Sequence, residues 1–138
     1  MLPSQLQIDA TLEALEDVVP VLRDTAAGLL PPERLDGFEI ALVEALTNII
    51  RHAYAGRTDG RIDIDMTVEQ RTLTVVLRDN GMAADPTHFE IAEPKEFGGA
   101  IDDLPESGWG LDLIRQCSDG MSYRALPSGN ELTLLFRP

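Results

Sequence analysis

Residues 61–79 hold two successive runs of apolar–polar alternation, and no other stretch restricts the fold as much. In RIDIDMTVE, Ile62, Ile64, Met66 and Val68 face one way, and Asp63, Asp65 and Thr67 face the other. TLTVVLRD repeats the pattern with Leu73, Val75 and Leu77. A period of two marks strands with one buried and one wet face, as antiparallel pairing favours. EQRT at 69–72 predicts the hairpin that joins them. A sheet with one apolar face needs a second layer to cover it.

Helical segments supply that layer. In 11–29, Leu12, Leu15, Val18, Val19, Leu22, Ala26 and Leu29 recur at helical spacing, and Pro20 is expected to kink or divide the run. PPER at 31–34 suits a helix start. The next helix is predicted from about Pro32 to Tyr54, ended by Gly56. Its stripe comprises Phe38, Ala41, Leu42, Ala45, Leu46, Ile49 and Ala53. SQLQIDA at 4–10 predicts a short first strand, WGLDLIRQCS a short helix, and GMSYRAL and NELTLLFR two closing strands joined by a PSGN turn. Residues 80–108 are irregular, and a connection of that length is usually a functional lid or a mobile segment. The expected fold class is α+β: a two-layer sandwich with helices on one face of a mixed, mainly antiparallel sheet. The 138 residues are the size of one domain, with no internal repeat or linker.

Composition narrows the function. The net charge of −13, from 24 acids against 11 bases, opposes binding to nucleic acid or anionic membranes. Lys95 is the only lysine and no GxxxxGK[ST] run occurs, so a P-loop is excluded. The N-terminus is not built like a signal peptide, no apolar run is long enough to span a bilayer, and Cys117 is the only cysteine. A reducing cytoplasm is the expected home.

Three stretches carry chemistry. In VEALTNIIRHAY, Glu44, Asn48 and His52 interrupt an apolar helix at a spacing of four, which sets them in one row. A solvated face explains one such residue; three in register favour a lined cavity. A carboxamide oxygen suits Mg²⁺, and a carboxylate can take a proton from a hydroxyl. In VVLRDNGM, Asp79 ends a strand and Gly81 allows close backbone approach. A plain turn satisfies the same residues; so does an acceptor for a ligand amine. In ESGWGLDLIRQ, Gly108 and Gly110 precede a helix, and their N–H groups can face an anion. A flexible loop end is the other reading. Trp109 between them can close a lid, touch a partner or simply pack.

Taken in order, these motifs resemble the ATP-binding domain of the GHKL superfamily, and within it the serine-kinase anti-sigma factors of bacterial partner-switching systems. EALTNIIRHAY resembles their N-box, RDNGM and SGWGLDLIRQ their glycine boxes, and GNELTLLF their last strand. Ala83 stands where a second glycine is common in the first box, and Ser107 where a paired glycine is common in the second. The resemblance implies a Bergerat ATP-binding fold with a lid at about 82–107. It implies Glu44 as general base, Asn48 as Mg²⁺ ligand, and Asp79 as acceptor for the adenine amine. Gly81 and Ala83 would line the base pocket, and Gly108, Trp109, Gly110 and Leu111 would approach the phosphates. His52 matches a family position, and Thr133 would reach the adenine through water. The implied activity is ATP- and Mg²⁺-dependent phosphorylation of a STAS-domain antagonist, with sequestration of a sigma factor or analogous regulator, by a chain that forms homodimers. A nucleotide-dependent binding module without kinase activity is the alternative, and the catalytic half of a histidine kinase a weaker one.

Overall fold

The structure, a computed structural model, describes residues 2–55, 57, 59–84 and 110–138. Strand β1 (Ser4–Asp9) leads into α1 (Leu12–Ala26), α2 (Pro32–Asn48) and a π-helical turn (Ile49–Ala53). The hairpin β2 (Arg61–Glu69) and β3 (Thr72–Asp79) follows, then α3 (Leu111–Cys117) and the hairpin β4 (Gly120–Leu126) and β5 (Gly129–Phe136). The sheet order is β1-β2-β3-β5-β4. All four pairings are antiparallel, so the expectation of a mixed sheet is corrected. Hairpins join β2 to β3 and β4 to β5. The longer excursion through α3 lets β5 return beside β3 and leaves β4 at the edge.

Alternation places the core. Ile62, Ile64 and Met66 of β2, Leu73, Val75 and Leu77 of β3, and Leu132, Leu134 and Phe136 of β5 are buried. They meet Leu15, Val18 and Leu22 of α1 and Phe38, Leu42 and Leu46 of α2 in one cluster. Phe38 and Phe136 join the layers edge to face, with ring centroids 5.0 Å apart. Burying each such side chain contributes roughly 1.5–3 kcal/mol. Val68 falls outside this cover: it is exposed, although its strand phase aims it at the core.

Local chemistry sets the helix ends. The Thr11 hydroxyl accepts from the Ala14 N–H at 3.1 Å and caps α1. Pro32 opens α2 at the first helical position, where the missing N–H costs nothing. Pro20 does not divide α1, which stays one helix of 15 residues. Its ring sits on the exposed side, where water can reach the carbonyl that it leaves without an N–H partner, while Val18, Val19 and Leu22 anchor the turns around it. The α-helical part of the second helix stops at Asn48, and the chain widens into the π-turn before Tyr54. The predicted stop at Gly56 lies outside the described residues.

Candidate functional site

The cleft lies where α2 and its π-turn meet the ends of β3 and β5. Ala45, Asn48, Ile49 and Ala53 form one wall, and Asp79, Asn130 and Leu132 form the floor. Met82, Ala84, Leu111 and Tyr123 complete the lining, which is mainly apolar. Apolar walls with a few convergent polar groups are the usual make-up of a small-molecule site.

The π-turn changes the row that the sequence predicts. In a π-turn the residue five positions on, not four, comes into line. The Tyr54 N–H accordingly donates to the Ile49 carbonyl at 3.0 Å. Ala53, five residues after Asn48, therefore lines the cleft, and His52 is not among its lining residues. Glu44 and Asn48 precede the turn and keep their helical spacing. Asn48 is 9 % exposed. Glu44 is half-buried, and its carboxylate lies against Gly110: a Cβ added there would sit 2.5 Å from Oε2. Gly110 has φ +60°, so its place at the start of α3 needs glycine both for the backbone and for the room.

The rest of the HAY ending fastens the loop after β3. The Ala53 carbonyl accepts from the Met82 N–H at 2.6 Å. Gly81 packs so closely on the Ala53 backbone that a Cβ there would collide with its carbonyl. The Tyr54 hydroxyl donates to the Arg61 carbonyl at 2.5 Å and accepts from the Asn80 N–H at 2.9 Å. One buried phenol thus ties the helix end to the start of β2 and the end of β3.

Asp79 is the charged group of the cleft and is 7 % exposed. Its Oδ1 accepts from the Gly81 N–H at 2.9 Å and from the Asn130 side-chain amide at 2.9 Å. Its Oδ2 has no hydrogen-bond donor among the described residues. Burial pushes the carboxyl above its ordinary value, and the two N–H donors offset part of that rise. Beside it the Tyr123 hydroxyl accepts from the Ala84 N–H at 2.8 Å. Burial raises the phenol, as does the charge of Asp79, while the Ala84 N–H lowers it. Apolar walls and a carboxylate oxygen without a donor among the described residues are the chemistry that a flat ring bearing an amino group would meet here. A divalent ion would need phosphate oxygens as co-ligands, because no group of three His, Cys, Asp or Glu side chains stands ready among the described residues. The Asn48 carboxamide supplies one hard, neutral oxygen of the kind Mg²⁺ takes.

Several sequence expectations are relocated. Thr133 pairs with Val76 and Ser122 on the outer face of the sheet, because its neighbours Leu132 and Leu134 point inward. The residue of β5 that reaches Asp79 is Asn130. Ala83 is exposed and does not line the cleft, whereas Met82 and Ala84 do. Gly108 and Trp109 lie outside the described residues, as do residues 85–107 of the expected lid. Sequence reasoning missed Asn130 and Tyr123. Both sit in the inward phase of their strands, Tyr123 opposite Leu132 on β4 and Asn130 in step with Leu132, Leu134 and Phe136 on β5. That polar residue in an apolar phase was the available signal for Asn130.

A family model described as histidine kinase-like ATPase domain matches residues 8–136. The serine-protein kinases RsbW of Bacillus thuringiensis (strain Al Hakam) and Bacillus cereus (strain AH820) are each 29% identical over 119 residues, which is 82% of this chain and 74% of theirs. A crystal structure of the RsbU and RsbW domains of Rv1364c from Mycobacterium tuberculosis superposes with a TM-score of 0.69 at 19% identity. The match covers 99% of this chain and 32% of that one, and it shows the same fold. Among the described residues, no helix is long and apolar enough to cross a membrane.

Proposed function

The chain belongs to the histidine kinase-like ATPase domain family, and from that premise we propose that it is an ATP- and Mg²⁺-dependent serine/threonine protein kinase of the anti-sigma factor type. The observation that carries this reading is the Asp79 carboxylate, buried at the floor of an apolar cleft, with one oxygen that has no protein donor among the described residues. A buried charge without a cation is costly. A ligand amine offsets that cost and explains why the carboxylate is there.

Asp79 orients the base, and Gly81 lets the loop lie close against Ala53. Asn48 would hold the magnesium ion, which when bound neutralises charge on the phosphates. Glu44 takes the proton from an incoming serine or threonine hydroxyl as that oxygen bonds to the γ-phosphorus and ADP departs. The half-buried position of Glu44 against the Gly110 backbone supports this role, since pure nucleotide binding needs no base there. The similarity to the RsbW serine-protein kinases supports a protein hydroxyl as the acceptor. On our reading the substrate is a STAS-domain antagonist, the sequestered target a sigma factor or analogous regulator, and the working form a homodimer.

The test is to titrate the chain with ATP–Mg²⁺ by calorimetry, capture partners with and without ATP, and map any phosphoserine or phosphothreonine that appears. Micromolar binding with phosphate on a small captured partner is the expected result. Absence of nucleotide binding ends the reading; binding without transfer leaves a nucleotide-dependent sequestration module.

A further inference from the structure

We infer that Asn130 is the positioning residue of the base site: its side-chain amide holds Asp79 in one orientation and so reserves one carboxylate oxygen for the amino group of an adenine. The inference rests on the nucleotide reading above and adds to it the residue on which base selection depends.

The amide nitrogen of Asn130 lies 2.9 Å from Asp79 Oδ1, 3.1 Å from the Gly81 carbonyl and 3.1 Å from the Met82 carbonyl. Two N–H hydrogens thus serve three acceptors. Turning the amide over would set its oxygen against a carboxylate and two carbonyls, so only one orientation is tolerable. Asp79 Oδ1 also takes the Gly81 N–H, which uses both of its lone pairs on protein donors. Oδ2 is what remains. The geometry is rigid, because Asp79 and Asn130 are direct partners in the β3–β5 register and Asn130 is 5 % exposed. Both side chains line the same cleft.

The chemistry of selection follows. A carboxylate oxygen only accepts, so it matches the 6-amino group of adenine and opposes the 6-oxo group of guanine. If Asp79 could rotate, or if its two oxygens shared their donors differently, that oxygen would no longer be aimed by the fold. Leucine at 130 would leave two loop carbonyls without a donor. Aspartate would set a second carboxylate beside the first.

The test is calorimetry of ATP–Mg²⁺ and GTP–Mg²⁺ on the full chain, with Asn130→Ala and Asn130→Asp beside the parent, from mildly acid to mildly alkaline pH. Tyr123 on β4 is the one other titratable side chain lining the cleft among the described residues; α2, the π-turn and α3 present none to it. Asn130→Ala should weaken ATP by about 10- to 100-fold and narrow the preference over GTP. Its affinity should fall on acidification at a higher pH than the parent's, because the carboxyl has lost a donor that favours its charged form. Asn130→Asp should show the opposite slope, weak in alkali and recovering as the pH falls, because a proton shared by two carboxyls restores a donor to Asp79. Variants that melt earlier but keep the parent's ATP-to-GTP ratio and pH profile would overturn the role. If the alanine variant does not fold, the near-isosteric aspartate carries the test alone. A parent that binds no ATP–Mg²⁺ removes the nucleotide reading and this role with it, whereas a parent that binds beside unaltered variants removes only the role of Asn130.

Discussion

Two adjacent cross-strand pairs of β3 and β5 treat charge in opposite ways: Arg78 faces Glu131, and one residue on Asp79 faces Asn130. Arg78 and Glu131 lie on the wet face. Arg78 bridges Asp65 and, at 3.1 Å, Glu131, which takes a second bond from Arg124 at 2.5 Å. Arg124 above all, with help from Arg78, lowers the Glu131 carboxyl against an opposing effect of burial. On the inner face Asp79 has an amide where Glu131 has arginines, and burial raises its carboxyl. The strands and the register are shared; only the side of the sheet differs. A carboxylate among water and arginines costs little to keep ionised. A carboxylate in an apolar cleft is a liability to the fold, which the proposed ligand amine would offset.

Four substitutions separate the two faces, beginning with the largest effect. Glu44→Gln should cut phosphate transfer to the partner by about 100- to 10,000-fold while calorimetric ATP–Mg²⁺ affinity stays that of the parent; normal transfer would refute the base assignment. Asp79→Asn should remove measurable ATP binding and yet raise the thermal midpoint at neutral pH. The sign follows from linkage: the folded carboxyl titrates above its unfolded value, so the folded state loses stability as pH rises through that window. The advantage of the variant should therefore shrink as pH falls toward the ordinary carboxyl range, and melting curves that show no such convergence would count against a desolvated Asp79.

Tyr54→Phe should cost about 1–3 kcal/mol in urea unfolding, because it removes two part-buried hydrogen bonds, leaving the Arg61 carbonyl and the Asn80 N–H without the hydroxyl they share. It should also weaken ATP modestly, through the Asn80 end of the loop. Smallest is Arg78→Ala, expected to cost under about 1 kcal/mol, less at high salt, with ATP affinity unchanged. A large drop in affinity would mean that the wet face is coupled to the cleft, and the contrast between the faces would fail.

Much of the architecture is legible along the chain. Alternation bounds β2 at 61–69 and β3 at 72–79, as the structure has them, and the stripe from Phe38 to Ile49 identifies the face of the second helix that covers the sheet. Glu44, Asn48, Asp79, Gly81 and Gly110 are also visible as residues, because in order they form one set of motifs, although each alone has a plain structural reading. Thr133 shows the limit: one step of strand phase separates it from Leu132 and puts it on the wrong side of the sheet. His52 shows another, since a single wider turn moves the aligned position to Ala53.

The sequence by itself determined which segments are helix and which are strand, which face of each is apolar, and which polar residues have to be explained. These depend on periodicity and side-chain type, which are local. Only the tertiary structure decided that Asn130 stands opposite Asp79, that the Glu44 carboxylate meets Gly110, and that Tyr54 joins three elements. Each of those contacts closes a long loop of chain, and strand register and layer packing, which no local pattern encodes, choose the partner.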